Sequence, residues 1–174
     1  MDRPREAFVD GETVVSERPR DHKAELRLWL RLLTCTTLVE DDIRGRLRAR
    51  FDVTLPRFDL MAQLHKTPQG MTLGQLSSRM MVSNGNLTAL VERLVDAGQI
   101  ERQVSQTDRR VVVVALTPSG EAAFADMARE HEDWIAGLFA GLSETDVEQL
   151  MMLLEKLKIS ARGAMKMTRD RTVP

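Results

Sequence analysis

The sequence predicts a mainly α-helical fold in which two short helices and a two-stranded hairpin lie between long helices at either end. Apolar residues recur at spacings of three and four through most of the 174 residues. That rhythm breaks once, after Gly98, where the run VVVVAL brings the β-branched residues that suit a pleated strand. Ser or Thr stands ahead of four helical stretches as an N-cap, and Gly or Pro punctuates their ends.

Each element follows from its own signals. Residues 1–20 alternate charges with Pro4, Gly11 and Pro19, carry little apolar periodicity, and read as a flexible arm. From Asp21, an N-cap, a long helix is expected to run towards Phe51, with Leu26, Trp29, Leu30, Leu33, Thr37, Ile43, Leu47 and Phe51 near its buried side. Pro56 restarts the chain, and a shorter helix from about Leu55 to Lys66 brings Phe58, Leu60, Met61 and Leu64 before Pro68 and Gly70 end it. In TLGQLSSRM, Thr72 is the N-cap, Gln75 stands at the capping-box position, and Leu73, Leu76 and Met80 share a face.

Ser83 caps the next helix, expected from Asn84 to Ala97, whose stripe is Leu87, Leu90, Val91 and Leu94. Its other face carries Asn84, Asn86, Thr88, Glu92 and Arg93. Gly98 closes it, a strand is expected from Ile100 to Val104, SQTDRR forms the turn, and a second strand returns from Val111 to Leu116. Thr117 and Pro118 are an N-cap with proline at N1, starting a helix that reaches Phe139 or Ala140 with Ala123, Phe124, Met127, Trp134, Ile135 and Leu138. Gly141 breaks it. Ser143 then caps a final helix with Asp146 at N3 and a broad apolar face of Val147, Leu150, Leu153, Leu154, Leu157 and Ile159, and the polar tail after Lys166 is expected to fray.

Two striped helices joined by a short turn, the second polar on its free face and followed by an Arg-tipped hairpin, make a winged helix-turn-helix, with the second helix sized for the major groove. The expected organisation is an arm over 1–20, an N-terminal dimerisation helix over 21–54, a DNA-binding unit over 55–116, C-terminal dimerisation helices over 117–166 and a frayed tail over 167–174. The end helices cannot bury such wide apolar faces on the small unit between them, so a second copy is their simplest destination. A two-fold homodimer follows, and with it a pseudo-palindromic double-stranded operator whose half-sites lie about one helical turn apart.

The chemistry of the DNA-reading parts can be assigned residue by residue. Ser83, Asn84, Asn86 and Thr88 stand at the start of the second helix, where amide and hydroxyl side chains can donate to and accept from base edges, and Gly85 lets the backbone approach the phosphates. Arg93 would hold a phosphate. Arg109 is the candidate to enter the minor groove, where narrow A·T-rich stretches attract arginine, while Asp108 and Arg110 fix the shape of the wing. The competing reading is a solvated hairpin beside a helix pair that only packs.

These residues resemble the MarR family of bacterial winged-helix regulators from about Glu25 to Lys166, most densely in LGQLSSRMMVSNGNLTALVERLVDAGQIERQVSQTDRRVVVVALTPSGEAAF, where the DRR wing followed by LTPSG is the more specific mark. The segments RLWLRLLTCTTLVE, TLPRFDLMAQL and MVSNGN resemble, in addition, the branch that represses genes of hydroxycinnamate breakdown and is released by the aromatic acid's CoA thioester. The resemblance implies a repressor of aromatic acid catabolism released by a small aromatic effector such as p-coumaroyl-CoA or feruloyl-CoA. It also implies that Trp29, Phe58 and Trp134 lie on helices bordering the effector cleft, with Met61 a further candidate effector-binding residue and His65 a candidate to hydrogen-bond a ligand carbonyl or phenol there. Each of these has an alternative as ordinary core, interface or structural histidine.

Arg44, Arg46, Arg48 and Arg50 form a cationic run, of which Arg48 and Arg50 are the candidates to hold the phosphates of a CoA group. Against this, Glu40 with Arg44, Asp42 with Arg46 and Arg48 with Asp52 are all spaced for i,i+4 pairing on a solvated face. Cys35 raises a redox-sensing alternative, but the chain has no tyrosine to support a thiolate, and the apolar run LLTCTTLV suggests a buried, inert thiol.

Composition limits the remaining classes. A formal net charge of −1 does not announce a nucleic-acid binder. Five arginines against four acids between Gly70 and Leu116 make the DNA argument one of placement rather than bulk charge. No apolar run approaches the roughly 18 residues of a membrane span and no signal-peptide pattern opens the chain, so a cytoplasmic protein is expected. The single cysteine fits a reducing compartment. His22, His65 and His131 are scattered without ligand spacing, so no metal or other cofactor is expected. No phosphate loop, nucleophile elbow or metal motif supports an enzyme. A helical protein-interaction module without DNA binding is the other class, against which Asn84, Asn86 and Arg109 stand.

Overall fold

The computed structural model describes residues 23–104 and 110–172; the expected N-terminal arm, the Asp21 cap, and Asp108 and Arg109 of the hairpin lie outside them. The described chain is mainly helical. In order it forms α1 (Lys23–Phe51), α2 (Leu55–His65), α3 (Leu73–Met80), α4 (Asn84–Asp96), β1 (Ile100–Val104), β2 (Val112–Leu116), α5 (Pro118–Phe139) and α6 (Glu144–Thr172). The strands pair antiparallel, with Ile100 opposite Leu116 and Val104 opposite Val112. Met71, just ahead of α3, adds a bridge to Val114 through two backbone hydrogen bonds of 2.9 and 2.8 Å.

Local chemistry sets most boundaries. Pro56 occupies the first turn of α2, where its missing N–H costs nothing. Thr72 and Gln75 close a complete capping box on α3, and Ser143 with Asp146 does the same on α6, the Asp146 amide donating to Ser143 Oγ at 3.2 Å and the Ser143 amide to Asp146 Oδ2 at 3.0 Å. Gly98 takes φ 66, and the amides of Gly98 and Gln99 reach the carbonyls of Val95 and Leu94 at 2.8 and 2.9 Å, a Schellman ending for α4.

The chain divides into two compact units with the boundary between Glu132 and Asp133. The core of the first contains Ile43 and Leu47 from α1, Phe58, Leu60, Met61 and Leu64 from α2, and Leu76 from α3. Leu87, Val91 and Leu94 from α4, Ile100 from β1, Val113, Val114 and Ala115 from β2, Phe124 and Met127 from α5, and Val53 and Met71 from the connecting segments complete it. Each fully buried leucine contributes about 2 kcal/mol relative to exposure. No helix among the described residues is long and apolar enough to cross a membrane.

Four expectations are corrected. Along α1 only Ile43 and Leu47 are buried; Leu26, Trp29 and Leu33, expected on the buried side, are exposed because nothing among the described residues covers that face. Cys35, expected to be buried, is exposed for the same reason. Of the three i,i+4 pairs, Glu40 with Arg44 (3.4 Å) and Asp42 with Arg46 (2.6 Å) form. Arg48 with Asp52 does not, because Asp52 leaves the helix with φ 53, so its side chain no longer continues the helical row. Helix α6 continues past Lys166 to Thr172, since no Gly or Pro interrupts Met167–Thr172.

Candidate nucleic-acid interface

Helices α3 and α4 are held as a pair by their buried stripes, Leu76 from the first and Leu87, Val91 and Leu94 from the second. Burying the three residues of α4 turns Asn86, Thr88, Glu92 and Arg93 to solvent on its opposite side. Ser83 is the N-cap residue by backbone angle, but its hydroxyl makes no capping bond, so the residue is extended and exposed at the mouth of the helix. Asn84 begins the helix.

The turn between the two helices is tight and has no glycine. Met81 adopts the left-handed conformation, φ 55 and ψ 35, with its amide bonded to the Ser77 carbonyl. The Val82 amide reaches the same carbonyl at 3.3 Å, and Ser77 Oγ donates to the Val82 carbonyl at 2.8 Å. Nothing in the run RMMVS signals this geometry, because Asn and Gly, the residues that favour it, lie further on.

Two contacts fix the start of the hairpin, one to α4 and one to α2. Arg102 on β1 is paired with Glu92 on α4, and Arg57 Nη2 of α2 donates to Gln99 Oε1 at 2.7 Å, just before β1. Arg110 lies at the exposed edge where the chain re-enters β2. The start of α5 locks onto the end of α4, since the hydroxyls of Thr117 and Ser119 donate to the Gly98 carbonyl at 2.7 and 2.9 Å. Thr117 Oγ1 also accepts the Gly120 amide at 3.1 Å, the cap expected from the sequence. The Gly98 carbonyl and Gly120 were not singled out by sequence reasoning, because their role is a contact between segments rather than a local pattern.

The candidate effector residues fall into different surroundings. Phe58 is buried, its ring 5.5 Å from Phe124 and 4.7 Å from His131, and His65 lies 4.9 Å from Phe124 on the far side, so four rings run in series between α2 and α5. Burial pushes the His131 imidazole below its ordinary pKa, against the opposing influence of Glu132. His65 Nδ1 lies 2.7 Å from Glu121 Oε2. Met61, also on α2, is fully buried. Burial, with the charge of Glu40 added, raises the Asp59 carboxyl. Trp29 is 58 % exposed on α1, while Trp134, in the C-terminal unit, is buried. Arg50 is paired with Glu130 at 2.6 Å, and Arg44 with Asp41 at 2.6 Å as well as with Glu40. Arg48 is exposed and has no ion pair among the described residues.

Comparison with known proteins agrees with this geometry. The sequence model of the MarR family matches residues 53–112, the segment from the start of α2 to the hairpin. The HTH-type transcriptional regulator PecS of Dickeya dadantii is 27 % identical over 145 residues, which span 82 % of this chain and 87 % of PecS. The structure of a mutant MarR from E. coli complexed with operator DNA superposes with a TM-score of 0.66 at 26 % identity, over 79 % of this chain and 99 % of that one. CouR from Rhodococcus jostii, solved bound to p-coumaroyl-CoA, shares the fold with a TM-score of 0.68 at 18 % identity, over 75 % of this chain and 90 % of its own. Motif, fold and relatives together support a DNA-binding transcriptional regulator built on a winged helix-turn-helix, similar to those of the MarR family.

Proposed function

We propose that the protein is a homodimeric repressor that holds two α4 helices in successive major grooves of a pseudo-palindromic operator and is released by a small aromatic effector. The observation that carries the DNA part is the polar face of α4, where Asn86, Thr88 and Arg93 are exposed on a helix anchored through Leu87, Val91 and Leu94. In this reading Ser83, Asn84, Asn86 and Thr88 meet base edges and Arg93 a phosphate. Arg109 enters the minor groove, with Asp108 and Arg110 shaping the wing.

The homodimer is supported by apolar surface left uncovered on both end helices: Leu26, Leu28, Trp29, Leu33 and Leu38 on α1, and Val147, Leu150, Leu154 and Leu157 on α6. The aromatic effector is supported by the ring series of His131, Phe58, Phe124 and His65. The thioester form is supported by the fold shared with CouR. Three of the four clustered arginines are engaged in ion pairs, so a phosphate role falls first on Arg48, with Arg50 able to serve only by leaving Glu130. Control of aromatic acid catabolism follows from that effector class.

Fluorescence anisotropy on the DNA upstream of the protein's own gene, at fixed salt, tests each layer. Specific binding lost in Asn86→Ala supports the α4 reading, and absence of specific binding by the wild type overturns it. Release by p-coumaroyl-CoA but not p-coumarate supports the thioester, provided Arg48→Ala weakens the response. Release by neither discards this effector class and leaves the regulator.

A further inference from the structure

Among the large apolar side chains described, Met81 is the most exposed, at 91 %. It is also held in the left-handed conformation, which crowds any residue that has a Cβ. Glycine would remove both the crowding and the exposed apolar surface, and no packing within the described chain offsets either. The bonds from Met81 and Val82 to the Ser77 carbonyl, and from Ser77 Oγ to the Val82 carbonyl, fix the turn, so the direction in which this side chain leaves the protein is set by the backbone.

Its location names what covers it. Met81 stands two residues before Ser83, the N-cap of α4, and the N-terminus of the second helix of a helix-turn-helix is the end that meets base edges. The exposed polar residues of the first turns of α4 therefore continue into one exposed apolar residue on the turn. In the major groove the apolar feature of a base edge is the thymine 5-methyl group, and a flexible, polarisable thioether suits such a contact. We propose that Met81 is a specificity-determining residue of the DNA interface, which reads a thymine 5-methyl group at the rim of the major groove. This rests on the DNA-binding reading above.

The test begins with duplexes selected from a random-sequence library by the wild-type protein. Each half-site thymidine is then replaced singly by deoxyuridine, which lacks only the methyl group, and affinities are measured at fixed salt for wild type, Met81→Ala and Met81→Gly. With wild type, deoxyuridine at one position in each half-site should weaken binding about fourfold, the worth of one methyl group removed from water. Met81→Ala should bind the unmodified duplex more weakly by a similar factor and lose all sensitivity at that position. Met81→Gly should melt at a higher temperature than wild type, its turn relieved, while losing the same affinity and the same sensitivity, which separates a lost contact from a damaged fold. If Met81→Ala keeps wild-type sensitivity at every thymidine, or binds every duplex as wild type does, the assignment of Met81 is overturned while the regulator stands. Failure of the wild type to select any sequence overturns the DNA reading and this inference with it.

Discussion

A Cβ placed on Gly120 would lie 1.9 Å from the carbonyl oxygen of Gln99. Gly120 is in the first turn of α5 and Gln99 in the turn that ends α4, so the absence of a side chain lets the two segments touch. The Thr117 amide donates to the same Gln99 carbonyl at 3.0 Å, and the Thr117 and Ser119 hydroxyls hold the carbonyl of Gly98. The end of the helix expected to read DNA is thereby fixed to the helix that leads into the C-terminal unit. Gly120→Ala cannot be relieved by a side-chain rotation, because the obstructing atom is backbone. It should cost about 2–4 kcal/mol, with a fall in Tm of roughly 5–15 °C by calorimetry. A loss below about 1 kcal/mol would mean that α5 can lift from Gln99 freely.

Thr117 serves the same joint in two ways, as the cap of α5 and as a donor to Gly98. Thr117→Ala removes both bonds and should destabilise by about 1–2 kcal/mol in urea unfolding, whereas Thr117→Ser keeps the hydroxyl and should retain most of that stability. Because Thr117 and Gly120 share one contact, the double variant Thr117→Ala with Gly120→Ala should cost less than the sum of the two single changes. Additive losses would show that the cap and the close approach act separately.

The sequence made this joint only half legible, and the reason is physical. Caps and turns are local, so Thr72 with Gln75, Ser143 with Asp146, the Gly98 ending and the N-cap role of Thr117 could be read directly, and β1 appeared with its observed bounds. What Gly120 touches is 21 residues away in sequence, at Gln99, and no local pattern announces it. The left-handed Met81 was equally silent, since the helix pair and the Ser77 bonds impose that conformation on a residue that does not prefer it. On α1 the periodicity identified an apolar face but not whether its cover lies within the chain, which is why Trp29, Leu33 and Cys35 were placed too deep.

The ring series gives the fold a dependence on acid. In the folded chain burial holds the His131 imidazole below its ordinary pKa, with Glu132 opposing in part, so the unfolded chain takes up the proton first as pH falls. The contribution of His131 to stability is therefore fully present above about pH 6.5 and declines as pH drops from there through the lower folded value. Since the ring is only partly buried, the decline should stay under about 1 kcal/mol between pH 7.5 and 5.5. Urea midpoints of wild type should fall more steeply over that interval than those of His131→Gln. Parallel profiles would remove His131 as the source.

Helix α6 exposes Val147, Leu150, Leu154 and Leu157 at successive spacings of three, four and three, the rhythm of a seam between helices. A carboxylate at the middle of such a seam has to be desolvated for two copies to meet, yet in a single chain it remains in water, where it costs little. Leu154→Glu should therefore leave the helical content of the folded chain intact while shifting the protein from dimer to monomer in sedimentation at micromolar concentration. DNA affinity should respond more than any α4 contact would predict. Two linked half-site interactions would become independent, and the loss could reach about a hundredfold or more from linkage alone. A further test separates this from damage to the DNA-reading face: binding to a single half-site should be nearly unchanged by Leu154→Glu but weakened by Asn86→Ala. If Leu154→Glu sediments as wild type and keeps full operator affinity, the seam lies elsewhere, and the apolar face of α1 around Trp29, Leu33 and Leu38 becomes the surface on which a second copy must be sought.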